Sequence, residues 1–209
     1  MGRPTRQAST ALTRKILRAA RQVFLEEGFV RTTTERIAQK AAISKRTLYT
    51  RYKGKSALFE TVILAEIHDR LIDLEQDIPD LGNVTLDLKA LAEKLLSWVL
   101  SDVHVAMERA VMAEAARFPA LAQKLYELGF IRTTKLVVNV LRRANERGEI
   151  AVSDTEFAAE QFVSVVILPP FRRAALGISD SGFTADTAER MSRSVNLFVH
   201  GCRSGVAGD

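Results

Sequence analysis

Apolar residues return every three or four positions through almost the whole chain, and this periodicity constrains the fold more than any other feature of the sequence. Leu12, Ile16, Ala19, Ala20 and Val23 share one helical face, and Gly28, after Glu26 and Glu27, is placed to stop that helix. Three threonines, Thr32 to Thr34, offer caps for a short helix over 35–41, and Ser44 offers one for another over 45–52. Gly54 precedes a long helix, 55–77, which the breaker cluster Pro79, Asp80, Gly82 and Asn83 ends. Further helices are predicted over 86–103, on to Ala115, and over 119–147. Another runs from a Ser153/Glu156 capping box to the breaker Pro169-Pro170, and the last covers 185–202. Leu136 to Leu141 has the composition of a strand, yet no turn residues flank it and the helical spacing continues to Ala144. The class is all-α, with about nine helices.

At 209 residues the chain can bury a core without staples, and its one cysteine, Cys202, can neither close an internal disulfide nor complete a zinc site. No stretch approaches the 18 or more apolar residues of a membrane span, and the basic N-terminus lacks the apolar segment of a secretion signal. No membrane association is expected, and the expected setting is the cytoplasm.

The net charge of +5 is unevenly divided. Residues 1–60 carry 14 Lys/Arg against 4 Asp/Glu, whereas residues 61–209 carry 16 against 21. A basic head on a mildly acidic body points to a nucleic-acid module joined to a module with another task. Within the head, 32–52 reads as two short helices joined by a tight turn, with Ile37, Ala38, Ala41, Ile43 and Leu48 turned inward. Lys45 and Arg46 lie in the first turn of the second helix, where the helix dipole disfavours cations, so an anion is expected there. A DNA phosphate or the acceptor edge of guanine fits. Thr33, Thr34, Ser44, Thr47 and Thr50, with Tyr49, Arg51 and Lys55, are suited to holding a duplex in register. Docked in the major groove, the second helix brings Lys45, Arg46 and Thr50 nearest the bases.

Ile37-Ala38, Ala41-Ala42-Ile43-Ser44, Thr47-Leu48-Tyr49 and the block Tyr52-Lys53-Gly54-Lys55-Ser56-Ala57-Leu58 resemble the DNA-binding head of the TetR family of bacterial transcriptional regulators over about residues 11–65. The resemblance implies a three-helix head, a ligand-binding body and a homodimer on a palindromic operator. Carried over by motif position, Thr34, Ser44, Tyr49, Arg51 and Lys55 would touch phosphates, while Lys45, Arg46 and Thr47 would lie over bases. Three departures stand out. Ala42 occupies a turn position where the family usually has glycine, Thr50 and Arg51 replace a common aromatic and histidine, and Glu35 is an unusual neighbour for DNA. The expected organisation is a basic arm over 1–10, with Arg3 and Arg6 available to a minor groove, a DNA-binding domain over 11–60, and a ligand-binding and dimerisation domain over 61–209.

Two stripes in the body, Ala158, Phe162, Val165 and Val166, and Met191, Val195 and Phe198, have the spacing of a pairing surface between two chains, or of a monomer core. The family resemblance favours the dimer. Trp98, Met107, Met112, Phe118, Tyr126 and Phe130 are candidates to line a pocket for an apolar effector. No metal and no cofactor is expected, and His68, His104 and His200 are scattered. The resulting expectation is a repressor released from DNA by a small, largely apolar ligand. An activator built from the same parts is one alternative. A DNA-acting enzyme with a helix-turn-helix arm is another, but it needs a catalytic cluster that the sequence does not offer.

Overall fold

The computed structural model describes residues 6–203, and the described residues form nine continuous helices and no strand. In order these are α1 (Arg6–Arg31), α2 (Thr34–Lys40), α3 (Lys45–Arg51), α4 (Lys55–Gln76), α5 (Val84–Val99), α6 (Asp102–Glu114), α7 (119–146), α8 (155–175) and α9 (Ala185–Arg203). The Leu136 to Leu141 run is helical, as its flanks predict. Regular geometry in α1 breaks at Gly28 (φ 72°), and one further turn carries the chain to Arg31. Because α1 starts at Arg6, residues 6–10 are helix and not arm; Arg3 lies outside the described residues.

Two expectations about α8 are corrected. Its N-cap is Asp154 rather than Ser153: the Asp154 carboxylate accepts from the backbone N–H groups of Glu156 (3.1 Å) and Phe157 (2.9 Å). Nor does the helix end at Pro169-Pro170. A π turn over Val163–Ile167 precedes the prolines, and the helix resumes over Leu168–Ala175. Each proline lacks an N–H and would press its ring on the carbonyl four residues back; the wider turn moves those carbonyls aside. A second π turn, Glu127–Ile131, lies within α7.

The chain divides into two compact units. One holds the residues up to Ile67 together with Ala110–Ala122. Its core includes Ile16, Val23, Ile37, Leu48 and Leu58, and four rings, Phe24, Phe29, Phe59 and Phe118, lie edge to face or tilted at 5.0–6.2 Å. The other holds His68–Arg109 and the residues from Gln123 on; in it α5 packs against α7 and α9 around Leu88, Leu91, Leu95, Leu141, Phe162 and Val195.

This packing corrects the reading of the two stripes as pairing surfaces. Ala158, Phe162, Val166, Met191 and Val195 are all buried within the single chain, and Phe198 stacks edge to face on Phe162 at 5.2 Å. Of the seven residues only Val165 is exposed, at 47%. The apolar residues that α8 and α9 do leave outside are Phe157, Val165, Leu168 and Leu197. Periodicity identifies the apolar face of a helix but not which body covers it.

Candidate nucleic-acid interface

The helix pair α2–α3 owes its geometry to two caps and one strained turn. Thr33 is the cap of α2, its hydroxyl accepting from Arg36 N–H at 3.1 Å, and Ser44 caps α3 by accepting from Thr47 N–H at 3.0 Å. Between them Ala42, at the turn position where the resembled family usually has glycine, adopts the left-handed conformation with φ 47°, while Ile43 N–H closes on the Ala38 carbonyl at 3.0 Å. A side chain in that region costs about 1–2 kcal/mol, and glycine escapes the cost. We therefore expect Ala42→Gly to stabilise the head by about 0.5–1 kcal/mol, part of the relief being offset by the freer unfolded chain. Thermal unfolding checks this, and a lower melting temperature would show that the turn is not under strain.

Behind the exposed face of α3, Leu48 is 1% exposed and fixes the helix to α2. The exposed face carries Ser44, Lys45, Arg46, Tyr49 and Thr50. Thr50 donates to the Arg46 carbonyl at 2.7 Å, so its hydroxyl is already engaged along the helix. Tyr49 and Thr34 share a hydrogen bond of 2.9 Å between their hydroxyls, which ties α3 to the start of α2. Thr34 also donates to Glu35 at 3.3 Å, and the Lys45 ammonium pairs with the other Glu35 oxygen at 2.8 Å. That hydrogen bond from Lys45 holds the Glu35 carboxyl below the usual carboxylate range. Glu35 is thus more than a helix-start residue: it shares the charge of Lys45.

Two side chains that motif position assigns to phosphates are engaged within the head. Arg51 turns its guanidinium to α1, donating to Thr13 Oγ1 (2.8 Å), the Ser9 carbonyl (3.3 Å) and Ser9 Oγ (3.2 Å). Lys55 donates to the carbonyls of Phe29 (2.8 Å) and Val30 (3.1 Å) and lies over the Phe29 ring at 4.5 Å. Both cations brace the head internally, Lys55 on the orphan carbonyls ending α1 and Arg51 on the hydroxyls of its flank. Arg36 and Lys40 are similarly paired with Glu27 (3.1 Å) and Glu26 (3.0 Å). Among the described Lys and Arg side chains of 31–55, Arg46 and Lys53 have no hydrogen-bond or ion-pair partner. Ser9, Thr13 and Glu35 therefore matter to the site, although only Glu35 had a signal in the sequence, an acid facing the recognition helix.

The matches to known proteins agree with this geometry. Residues 16–62 match the family described as bacterial regulatory proteins, tetR family, and residues 87–201 match the C-terminal domain of AefR-like transcriptional repressors. The chain belongs to the TetR family. It is 27% identical to the helix-turn-helix regulator YvkB of Bacillus subtilis over 191 residues, covering 90% of this chain and 95% of that one. It is 30% identical to the UidR regulator of Escherichia coli over 142 residues, 66% of this chain and 68% of UidR. A TetR-family structure from Mesorhizobium loti superposes with a TM-score of 0.83 at 26% identity over 95% of this chain and 98% of its own. The flavonoid-responsive regulator FrrA does so with a TM-score of 0.73 at 30% identity, covering 93% and 98%. As a TetR-family member the chain is a DNA-binding transcriptional regulator and not an enzyme.

The six residues picked as pocket lining in this TetR-family chain are not brought together. Trp98 borders a groove of about 600 Å³ with Arg70, Asp73 and Lys94, whereas Tyr126 and Phe130, stacked at 5.3 Å, border another of about 580 Å³ with Arg142 and Glu156. Met107 is buried in the same unit. Met112 and Phe118 belong to the other unit, the first 59% exposed and the second in its aromatic cluster. No described helix is long and apolar enough to cross a membrane.

Proposed function

We propose that this protein is a repressor that binds a palindromic operator in the cytoplasm as a homodimer, reads base edges with the exposed face of α3, and leaves the DNA when a small, largely apolar molecule enters the body. The observation that carries the DNA reading is the α3 face itself. Arg46 stands exposed beside Lys45 on a helix fixed from behind by Leu48, the Thr34–Tyr49 bond and the Arg51 brace. Thr33, Ser44 and Thr47 add short polar groups at the helix starts, suited to phosphates. One head spans few base pairs, so two heads at fixed spacing are needed for specificity. Phe157, Val165, Leu168 and Leu197, exposed on the last two helices, are the surface we assign to pairing. The match to AefR-like repressors supports repression, and the likeness to a flavonoid-responsive regulator supports a small-molecule effector.

The test is an anisotropy titration of the purified protein against the DNA flanking its own gene and against a scrambled duplex at equal salt. Flanking DNA bound at least about a thousandfold more tightly, in a complex of two chains, is the expected result. Equal affinity for both duplexes would overturn the operator reading.

A further inference from the structure

Glu35 is the one acidic residue between Thr32 and Lys53, and among the described residues it is the one acid paired with a cation of α3. The acids that end α1, Glu27 and Glu26, hold Arg36 and Lys40 of α2 instead. The Glu35 carboxylate also joins a row of hydrogen-bonded side chains. One oxygen pairs with the Lys45 ammonium at 2.8 Å, the other accepts from the Thr34 hydroxyl at 3.3 Å, and Thr34 shares a 2.9 Å hydrogen bond with Tyr49. Three of these four residues, Thr34, Lys45 and Tyr49, are the ones that motif position assigns to DNA.

Both members of the pair stay open to an approaching duplex, with 59% of the Lys45 side chain and 50% of the Glu35 side chain exposed. Ion pairs so exposed add little to stability. Their consequence is for what approaches α3. The hydrogen bond from Lys45 holds the Glu35 carboxyl below the usual carboxylate range, so it is charged at neutral pH. A phosphate brings a full negative charge, and within reach of the Lys45 ammonium it also lies close to the Glu35 carboxylate, so attraction and repulsion largely cancel. The O6 and N7 acceptors of guanine carry partial charges only. An ammonium has three N–H donors, and Glu35 takes one, leaving two for such an edge.

We propose that Glu35 is a specificity-determining residue of this regulator: by holding the Lys45 ammonium it bars phosphate from it and reserves Lys45 for the acceptor edge of a base. It acts through Lys45, as a positioning residue, and the proposal rests on the reading of α3 as the helix that meets base edges. Random duplex is bound chiefly through its phosphates, so it loses a contact that the operator keeps. Part of the specificity then comes from repelling the wrong DNA and not only from attracting the right one.

The test is Glu35→Gln, which keeps the size of the side chain and removes its charge. Anisotropy titrations of the full-length protein, over a range of salt, compare the DNA flanking its own gene with a scrambled duplex. On scrambled duplex E35Q is expected to bind about tenfold more tightly than the parent near 0.1 M salt, with a salt slope steeper by about one, because Lys45 is released to a phosphate. Affinity for the flanking DNA should change less than about twofold, so the preference between the two falls at least about fivefold. The melting temperature should stay within about 2 °C of the parent, since the pair is exposed. Lys45→Gln checks the route: in a K45Q background the same Glu35→Gln change should leave scrambled-duplex affinity and slope nearly unaltered, as no ammonium remains to be released. Unchanged affinity and slope for E35Q on scrambled duplex would overturn the proposal, as would an equal gain on both duplexes. A gain undiminished in the K45Q background would also overturn it, making Glu35 a general repulsive charge. A parent that binds both duplexes alike would overturn the operator reading instead, and the slope on scrambled duplex would still decide whether Glu35 withholds Lys45 from phosphate.

Discussion

Replacing Arg46 by alanine is expected to lower operator affinity by roughly ten- to hundredfold, about 1–3 kcal/mol, while binding to random duplex falls much less. The reason lies in how the charges of the head are distributed. Lys45 shares its charge with Glu35, Arg51 is turned to Ser9 and Thr13, and Lys55 is held by the carbonyls that end α1. Arg46 alone on α3 presents an exposed guanidinium with no partner among the described residues. A guanidinium free to make a bidentate contact with guanine discriminates between bases, whereas a phosphate contact does not. Anisotropy titrations over a range of salt separate the two. Equal losses on cognate and random DNA, with the salt slope reduced by about one, would show that Arg46 touches a phosphate instead.

The second large effect concerns the frame of the body. Arg147→Met is expected to cost about 3–5 kcal/mol, because it leaves the Asp87 carboxylate buried without a counter-charge. Asp87 is fully buried, at 0% exposure, yet it accepts from the Leu81 N–H at 2.5 Å and from the Arg147 guanidinium at 3.0 Å. The same guanidinium pairs with Asp80 at 3.3 Å and with Glu149, which in turn accepts from Val84 N–H at 2.6 Å. One arginine therefore joins the loop before α5, the first turn of α5 and the end of α7. The double variant Arg147→Met with Asp87→Asn should recover much of the loss, since it removes both charges together. Urea unfolding midpoints of the parent, the two single variants and the double variant measure this. A single-variant loss below about 1 kcal/mol would mean that water or a rearranged side chain satisfies Asp87.

How much of this was legible in the sequence varies with the range of the interaction. The caps at Ser44 and within the threonine run, the break at Gly28, and the helical state of Leu136 to Leu141 depend on neighbours a few positions away, and they were readable. At Ala42 the signal came from the family resemblance, which usually has glycine at that turn position, and its φ is 47°. The cap of α8 lies one residue beyond the Ser153 that the capping-box spacing indicates, because Ser153 and Asp154 are both good caps and only the backbone path chooses between them. The prolines at 169 and 170 stopped the predicted helix, since a π turn that lets them in leaves no mark in apolar spacing.

The reach of the long cations was not readable. Arg51 finds α1 across 38–42 residues of sequence and Lys55 finds it across 25–26, and each meets acceptors there. The stripes of α8 and α9 are apolar, as their spacing indicates, but their cover is the chain's own α5 and α7.

By itself the sequence determined the helices, the basic head with its helix-turn-helix, and the family, because local backbone preferences, apolar spacing and charge are carried by residues close together in the chain. Only the tertiary structure decided how the cations of the head are paired, which apolar faces remain outside, and that the His104 ring lies against Trp98 and Phe171. Those outcomes are settled by which groups, distant in sequence, come within a few ångströms of each other and exclude water from between them.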